Sequence, residues 1–309
     1  MNSQPTTPTP LSHPRVLTSI APITASYDVI LSDIWGVIHN GREHFAAAVE
    51  ALARFRANGA TVILLTNAPR PSPPVLRQLD GLRVPHDSFD GIVTSGDVTL
   101  NFIAEHGLKP LHHIGPPRDI ALFDILERDT GVRPPLVPLD QADYVVCTGL
   151  FDDAEQPSDY DTRLDLMRQH KMDMICANPD IVVHVGDHEV WCSGALAQRY
   201  EQNYGGKVLQ AGKPFAPIYE RALQLAQAKR DTPIDRRRVL AIGDGIGTDI
   251  KGARAQGLDV IFVTSGIHRE ELHNGQRDPR ANPPDEAALA ALLRQHEIEP
   301  LASMSQLIW

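Results

Sequence analysis

Five short apolar runs end abruptly in a polar residue or glycine: YDVILSD (27–33), TVILLTN (61–67), GIVTSG (91–96), RVLAIGD (238–244) and DVIFVTSG (259–266). None alternates apolar with polar residues. Alternation marks a sheet with one wet face, whereas a continuous run is buried on both faces, as strands of a parallel sheet are. Helical patterns stand between the runs. HFAAAVEALARFRANG (44–59) carries Phe45, Val49, Leu52 and Phe55 at helical spacing and stops at Gly59, a C-cap signal. PIYERALQLAQAK (217–229) opens on proline, which a first helical turn tolerates because the missing N–H has no helical partner there. Strand, helix, strand in repetition predicts an α/β fold with a Rossmann-like, doubly wound parallel sheet.

The middle of the chain repeats this grammar on a smaller scale. LHHIG (111–115), DYVVCTG (143–149) and DMICAN (173–178) read as strands, with helices IALFDILERDTG (120–131) and YDTRLDLMRQH (160–170) between them. The first series then resumes. The expected organisation is an N-terminal arm at 1–26, a core in two parts at 27–107 and 191–309, and an inserted α/β module at 108–190. Two domains suit 309 residues of which 42% are hydrophobic. The arm begins MNSQPTTPTPLSHPR, polar and proline-rich, and no later stretch approaches the ~20 apolar residues of a membrane span. A soluble cytoplasmic protein with a loose arm is expected, its terminal SQLIW (305–309) packing on the core or on a partner. The three cysteines form no CxxC pair and no zinc-type cluster, which suits reduced thiols. Lys+Arg 29 against Asp+Glu 39 leaves a net charge of -10, the wrong sign for general attraction to nucleic acid. Neither nucleic acid nor membrane is an expected partner.

In open parallel sheets, ligands bind beyond the carboxyl ends of the strands. The residues closing the runs are Asp33, Thr66 with Asn67, Ser95, Asp244 and Ser265. Taken singly, a strand-end aspartate caps a helix or forms a turn more often than it does chemistry; recurrence on several strands points to a site. GDGIGTDIKGARAQG (243–257) places Asp244 at a strand end, three glycines around a tight loop, and Asp249 five residues on. Two such carboxylates can hold Mg²⁺, a hard ion satisfied by carboxylate, water and substrate oxygens. The plainer alternative is that Asp249 only caps its helix. Lys213 in QAGKPF (210–215) stands between glycine and proline just before a helix. An exposed lysine is the ordinary case, yet one fixed in such a turn can balance a phosphoryl group, with Thr66 and Asn67 donating to its oxygens.

This ordered set, Asp33 in DIWGV, Thr66 in LLTN, Lys213 in AGKP and Asp244 with Asp249 in GDGIGTD, resembles the haloacid dehalogenase (HAD) superfamily of phosphohydrolases. The long insertion, with CANPD at 176–180, looks like subclass IIA, the NagD and phosphoglycolate phosphatase type with an α/β cap of C2 type. Each motif alone is weak; four in order from about residue 27 to 270 are specific. The resemblance implies that Asp33 is the nucleophile and forms an aspartyl-phosphate with a small phosphorylated metabolite. It implies phosphate binding by Thr66 with Asn67 in support, and charge neutralisation by Lys213. It assigns Mg²⁺ to Asp33, Asp244 and the carbonyl of Trp35, with Asp249 orienting its waters. A cap-mediated homodimer follows by analogy.

One position departs from the pattern. Family phosphatases carry a second aspartate where this chain has Trp35; it protonates the leaving oxygen and then activates water. An indole N–H only donates and does not titrate usefully, so Trp35 cannot do this. His39 is the nearby candidate substitute, with an ordinary pKa of ~6.5, although a lone histidine after a strand is more often structural. His39, Arg70, Asn178 and Asp180 are the candidate substrate contacts. Besides a phosphatase of narrow range, Trp35 leaves two readings open: a phosphate-ligand binding or regulatory protein, and a phosphotransferase to an acceptor other than water.

Overall fold

A computed structural model describes residues 14–185 and 188–309 of the chain. The core begins β1 (Val29–Asp33), α1 (Ala46–Ala57), β2 (Thr61–Thr66), α2 (Ser72–Gly81), β3 (Gly91–Thr94) and α3 (Ser95–Glu105). The chain then leaves for a second module: β4 (Leu111–Ile114), α4 (Ala121–Thr130), β5 (Tyr144–Cys147), α5 (Asp161–Gln169) and β6 (Asp173–Cys176). A hairpin of β7 (Val182–Val185) and β8 (His188–Trp191), α6 (Ser193–Tyr204) and β9 (Val208–Gln210) follow. The core resumes with α7 (Ala216–Gln227), β10 (Val239–Gly243), α8 (Lys251–Ala255), β11 (Asp259–Val263) and β12 (Ala302–Met304).

Six parallel strands form the core sheet in the order β12-β11-β10-β1-β2-β3, and four more form the second sheet, β4-β5-β6-β9. The continuous apolar runs have the cause expected of them. Ile30, Val62 and Leu64 face α1, α2 and the C-terminal segment, while Val29, Leu31, Ile63 and Leu65 face α7, α8 and the helix Glu286–Gln295. Both faces are dry, so no position in these strands calls for a polar residue until the strand ends. In α1, Val49, Leu52 and Phe55 are buried and Phe45 packs beside them, as their spacing predicts. The second sheet is covered by α5 and α6 on one side. On the other lie α4 and Ile103 of α3, so the core supplies part of the inserted module's packing.

Two expectations are corrected. The inserted module does not stop at 190, because β9 pairs with β6 and carries the second sheet to Gln210; three residues, too short for a periodic signal, complete it. The arm is only partly open to description, since residues 1–13 lie outside the described residues. From Arg15 it is pinned rather than loose: Ser303 N–H donates to Arg15 O and Leu17 N–H to Ser303 O, both at 2.8 Å, and Ile20 is buried in the core. The edge strand β12 is itself new, and it explains SQLIW: Leu307 is buried, and Trp309 meets Phe55 edge to face at 5.5 Å. No described helix is long and apolar enough to cross a membrane.

β1 lies between β10 and β2, and the chain runs from it toward β2 on one side while β10 arrives on the other. This is the switch point where an open parallel sheet leaves a crevice beyond its strand ends. Replacing fully buried Leu52 with Ala is expected to cost about 2–5 kcal/mol in a urea unfolding titration, through lost transfer energy and a cavity. Arg54→Ala on the exposed face of the same helix stays within about 0.5 kcal/mol.

Candidate active site

Asp33 ends β1, Asp244 follows β10, and Asp249 comes from the turn after it. One carboxylate oxygen from each lies within 4.8 Å of those of the other two. Lys213, on the loop between β9 and α7, reaches into this cluster: its Nζ donates to Asp33 Oδ1 and, at 2.6 Å, to Asp249 Oδ1. Asp33 is 6% exposed and Lys213 3%. Four residues from separate segments thus share one dry site at the crevice that the topology creates.

Local chain geometry holds them there. Gly36 has φ +83, and a Cβ on it would run into the Asp244 carboxylate, so the Trp35–Gly36 peptide passes directly against that group. After Gly245 the chain makes a π-helical turn in which Asp249 N–H and Ile250 N–H both donate to Gly245 O, at 2.9 and 3.1 Å. This wide turn brings Asp249 back so that its Oδ2 accepts the Gly245 N–H at 3.1 Å. Asp249 is therefore fixed through both oxygens.

Three carboxylates against one ammonium leave an excess of two negative charges in a buried volume. Burial pushes the Asp33 carboxyl well above its ordinary range; Lys213 opposes this, and Asp249 and Asp244 add to it. Burial and then Asp249 push Asp244 up to about 7. For Lys213, burial works against the charge, but Asp249 and Asp33 outweigh it and hold the ammonium well above its ordinary pKa. Such a site calls for a divalent cation, and the hard oxygen donors fit Mg²⁺. The hydrogen bonds described engage one oxygen of Asp33 and one of Asp244, leaving each a second for a metal.

Asn67, just past β2, is the other buried node. Its Oδ1 accepts the Lys213 N–H at 2.7 Å; its Nδ2 donates to Lys213 O at 3.0 Å and to Asp180 Oδ1 at 2.8 Å. Thr66 closes β2, half-buried, with Oγ1 accepting the Ala68 N–H at 3.2 Å. The remaining candidates are placed differently from expectation. His39 is 3% exposed, its Nδ1 accepts the Gly41 N–H at 3.0 Å, and burial lowers its pKa to about 4. It is a neutral structural residue, with no imidazolium to give a leaving group near neutral pH. Arg70 is exposed and donates to Gln78 Oε1 of α2 at 2.8 Å. Asn178 is buried in its own loop, accepting the Asp180 N–H on Oδ1 and the Ser193 hydroxyl on its carbonyl. Asp180 meets Asn67 instead of standing free in the crevice.

Trp35 is 49% exposed. Its ring meets His39 edge to face at 5.3 Å and lies against Gly41, where a Cβ would come 2.9 Å from Cζ3. The indole is thus held on one side and open on the other. One functional contact escaped sequence reasoning: Ile267 N–H donates to Asp244 Oδ2 at 2.8 Å and fixes that carboxylate. A main-chain donor carries no residue-type signature; the only trace was Gly266, whose missing Cβ lets the loop touch Asp244.

The charge excess has a thermodynamic consequence. Between the ordinary carboxyl pKa of about 3.9 and the folded value of about 7, the folded protein binds more protons at Asp244 than the unfolded chain does. Stability of the metal-free protein is therefore expected to fall as pH rises through that window. Thermal melts in chelator should show it, and Asp244→Asn should flatten the dependence and raise the midpoint at pH 8 by at least about 2 °C.

The comparisons agree with this geometry. Residues 30–125 match the family model of haloacid dehalogenase-like hydrolases, and residues 210–289 match a second, HAD-hydrolase-like model. A crystal structure of a haloacid dehalogenase-like hydrolase from Brucella suis 1330 is 43% identical, with 94% of this chain and 99% of that one covered and a TM-score of 0.78. The p-nitrophenyl phosphatase of Archaeoglobus fulgidus shares the fold at 21% identity, covering 91% of this chain and 96% of its own, with a TM-score of 0.68. Mouse chronophin is 24% identical over 270 residues, 81% of this chain and 86% of its own. With the Brucella likeness running almost end to end, the chain belongs to the haloacid dehalogenase-like hydrolase family.

Proposed function

We propose that the protein is a Mg²⁺-dependent phosphohydrolase that acts on a small phosphorylated metabolite through an aspartyl-phosphate, with a leaving group that departs without help from a general acid. The observation carrying this reading is the buried set of Asp33, Asp244 and Asp249 with Lys213 bonded between two of them. The fold likeness to a p-nitrophenyl phosphatase supports it.

Phosphoryl transfer asks the protein mainly for positioning and charge stabilisation. One carboxylate oxygen of Asp33 attacks phosphorus; the bond to the leaving oxygen breaks, and its electron pair leaves with the alcohol, phenol or acid. Lys213, bonded to the Asp33 carboxylate, holds its orientation. Thr66 at the end of β2 contributes a hydroxyl to the phosphoryl oxygens, and Asn67 keeps the lysine in register. Asp33, Asp244 and the main chain at Trp35, supported by Asp249, would hold Mg²⁺, which when bound would supply positive charge for those oxygens. Water then attacks phosphorus of the aspartyl-phosphate, releasing phosphate and restoring Asp33.

The proton is what this site lacks. Trp35 cannot supply it, and His39 is neutral and enclosed. Good leaving groups, aryl and acyl phosphates or anhydrides, tolerate that absence; alkyl and sugar phosphates do not. The same absence favours a second reading, transfer to an acceptor other than water, because no residue at position 35 activates water. Labelled phosphate appearing on an added alcohol instead of in solution would establish it.

The test compares p-nitrophenyl phosphate and acetyl phosphate with an alkyl phosphate. The activated substrates are expected to turn over with Mg²⁺ and to stop with chelator or in Asp33→Asn. The alkyl ester should run roughly 10²–10⁴-fold slower, and Trp35→Asp should recover much of that deficit. Release that persists in Asp33→Asn overturns the proposal.

A further inference from the structure

Asn67 uses its whole amide: Oδ1 takes the Lys213 N–H, one Nδ2 hydrogen goes to Lys213 O, and the other to Asp180 Oδ1. Two of these bonds clamp the main chain of the lysine on both sides. The third leaves the core altogether, because Asp180 lies just past β6, in the segment that exits the second sheet.

That segment is held tightly. Asp180 N–H is bound by Asn178 Oδ1 at 3.0 Å, and Asn178 N–H by Ser193 Oγ at 3.0 Å. Pro179 sits between two glycines. A Cβ on Gly194 would strike the Pro179 and Asp180 carbonyls, and one on Gly212 would strike the Asn67 amide and come 2.6 Å from Pro179 Cδ. Gly212 immediately precedes Lys213, so the inserted module, the end of β2 and the lysine loop meet at one packed point. Displacing the module moves Asp180, and the stretched bond acts on Asn67.

We propose that Asp180 is a positioning residue: by holding Asn67 Nδ2, its carboxylate locks the amide that seats Lys213, and so couples the placement of the inserted module to the charge balance at Asp33. The assignment rests on the functional reading above, in which Lys213 serves the nucleophile, but it concerns a residue outside the reacting set. It replaces the expectation that Asp180 touches substrate. Its alignment effect is of a kind that matters, since a shift of ~1 Å in a positioned group can cost roughly 10²-fold in rate.

The experiment is a double-mutant cycle on Mg²⁺-dependent hydrolysis of p-nitrophenyl phosphate, using the full chain. Asp180→Ala is expected to lower kcat roughly 10-fold with KM changed less than about twofold. Asp180→Asn keeps an acceptor oxygen for Asn67 and should recover most of the loss. In an Asn67→Ala background, Asp180→Ala should add almost nothing, because its route to Lys213 is already gone. If Asp180→Ala does not fold by its thermal melt, Asp180→Ser, too short to reach Asn67, takes its place in the cycle. Wild-type kcat in the Asp180 variant, a loss expressed in KM alone, or full additivity with Asn67→Ala would each overturn the inference while Asp33→Asn and Asn67→Ala remain impaired. Indifference of turnover to Asp33→Asn and Asn67→Ala would instead overturn the functional reading beneath it.

Discussion

The ammonium of Lys213 is the constraint on which the rest of the structure depends. Three aspartates within 4.8 Å of each other repel in a buried volume, and a buried charge without a partner costs several kcal/mol. One lysine bonded to two of them reduces that cost without cancelling it. Burial, and then the neighbouring Asp249, hold the Asp244 carboxyl well above its ordinary range in the metal-free protein. The fold maintains this unfavourable arrangement with β1 and β10 inside a sheet dry on both faces, a π-helical turn, and main-chain donors from Gly245 and Ile267. Stability given up at a functional site is restored by packing elsewhere.

Trp35 occupies the most informative position in this frame. In the proposed roles, the nucleophile, its lysine and the metal-binding carboxylates depend on the β1 and β10 ends, and it is the chain at Gly36 that passes against Asp244. A change of side chain at 35 therefore bears on proton transfer while the carboxylates and the lysine keep their places. His39 and Gly41 support the indole and hold it in place, with one face left to solvent.

The strands of both sheets were legible because burial on two faces writes a continuous apolar signature, and Asp33, Asp244, Asp249, Lys213 and Asn67 were legible because each stands where such a run or turn ends. What escaped was carried by groups without such a signature. β9 and β12 are three residues each and are strands only because a neighbour pairs with them. Ile267 acts through its N–H, and the burial that makes His39 neutral arises from tertiary packing that a titratable residue type does not reveal. Asp180 was visible as a polar residue near the crevice, but its partner lies 113 positions away, beyond the reach of local pattern.

The insertion between α3 and α7 also orders events in time. Asp33 and Lys213 are 180 residues apart in sequence, and Asp249 follows Lys213 by 36. Contacts of such separation form only after long loops have closed, and a chain emerging from synthesis folds its earlier units first. A nascent chain therefore carries Asp33 long before it can neutralise or metallate it. The lysine appears only after the second sheet has received its last strand, three residues earlier at Gln210. The chemistry proposed for Asp33 thus requires the whole core, and a shorter nascent chain holds that carboxylate without its lysine partner.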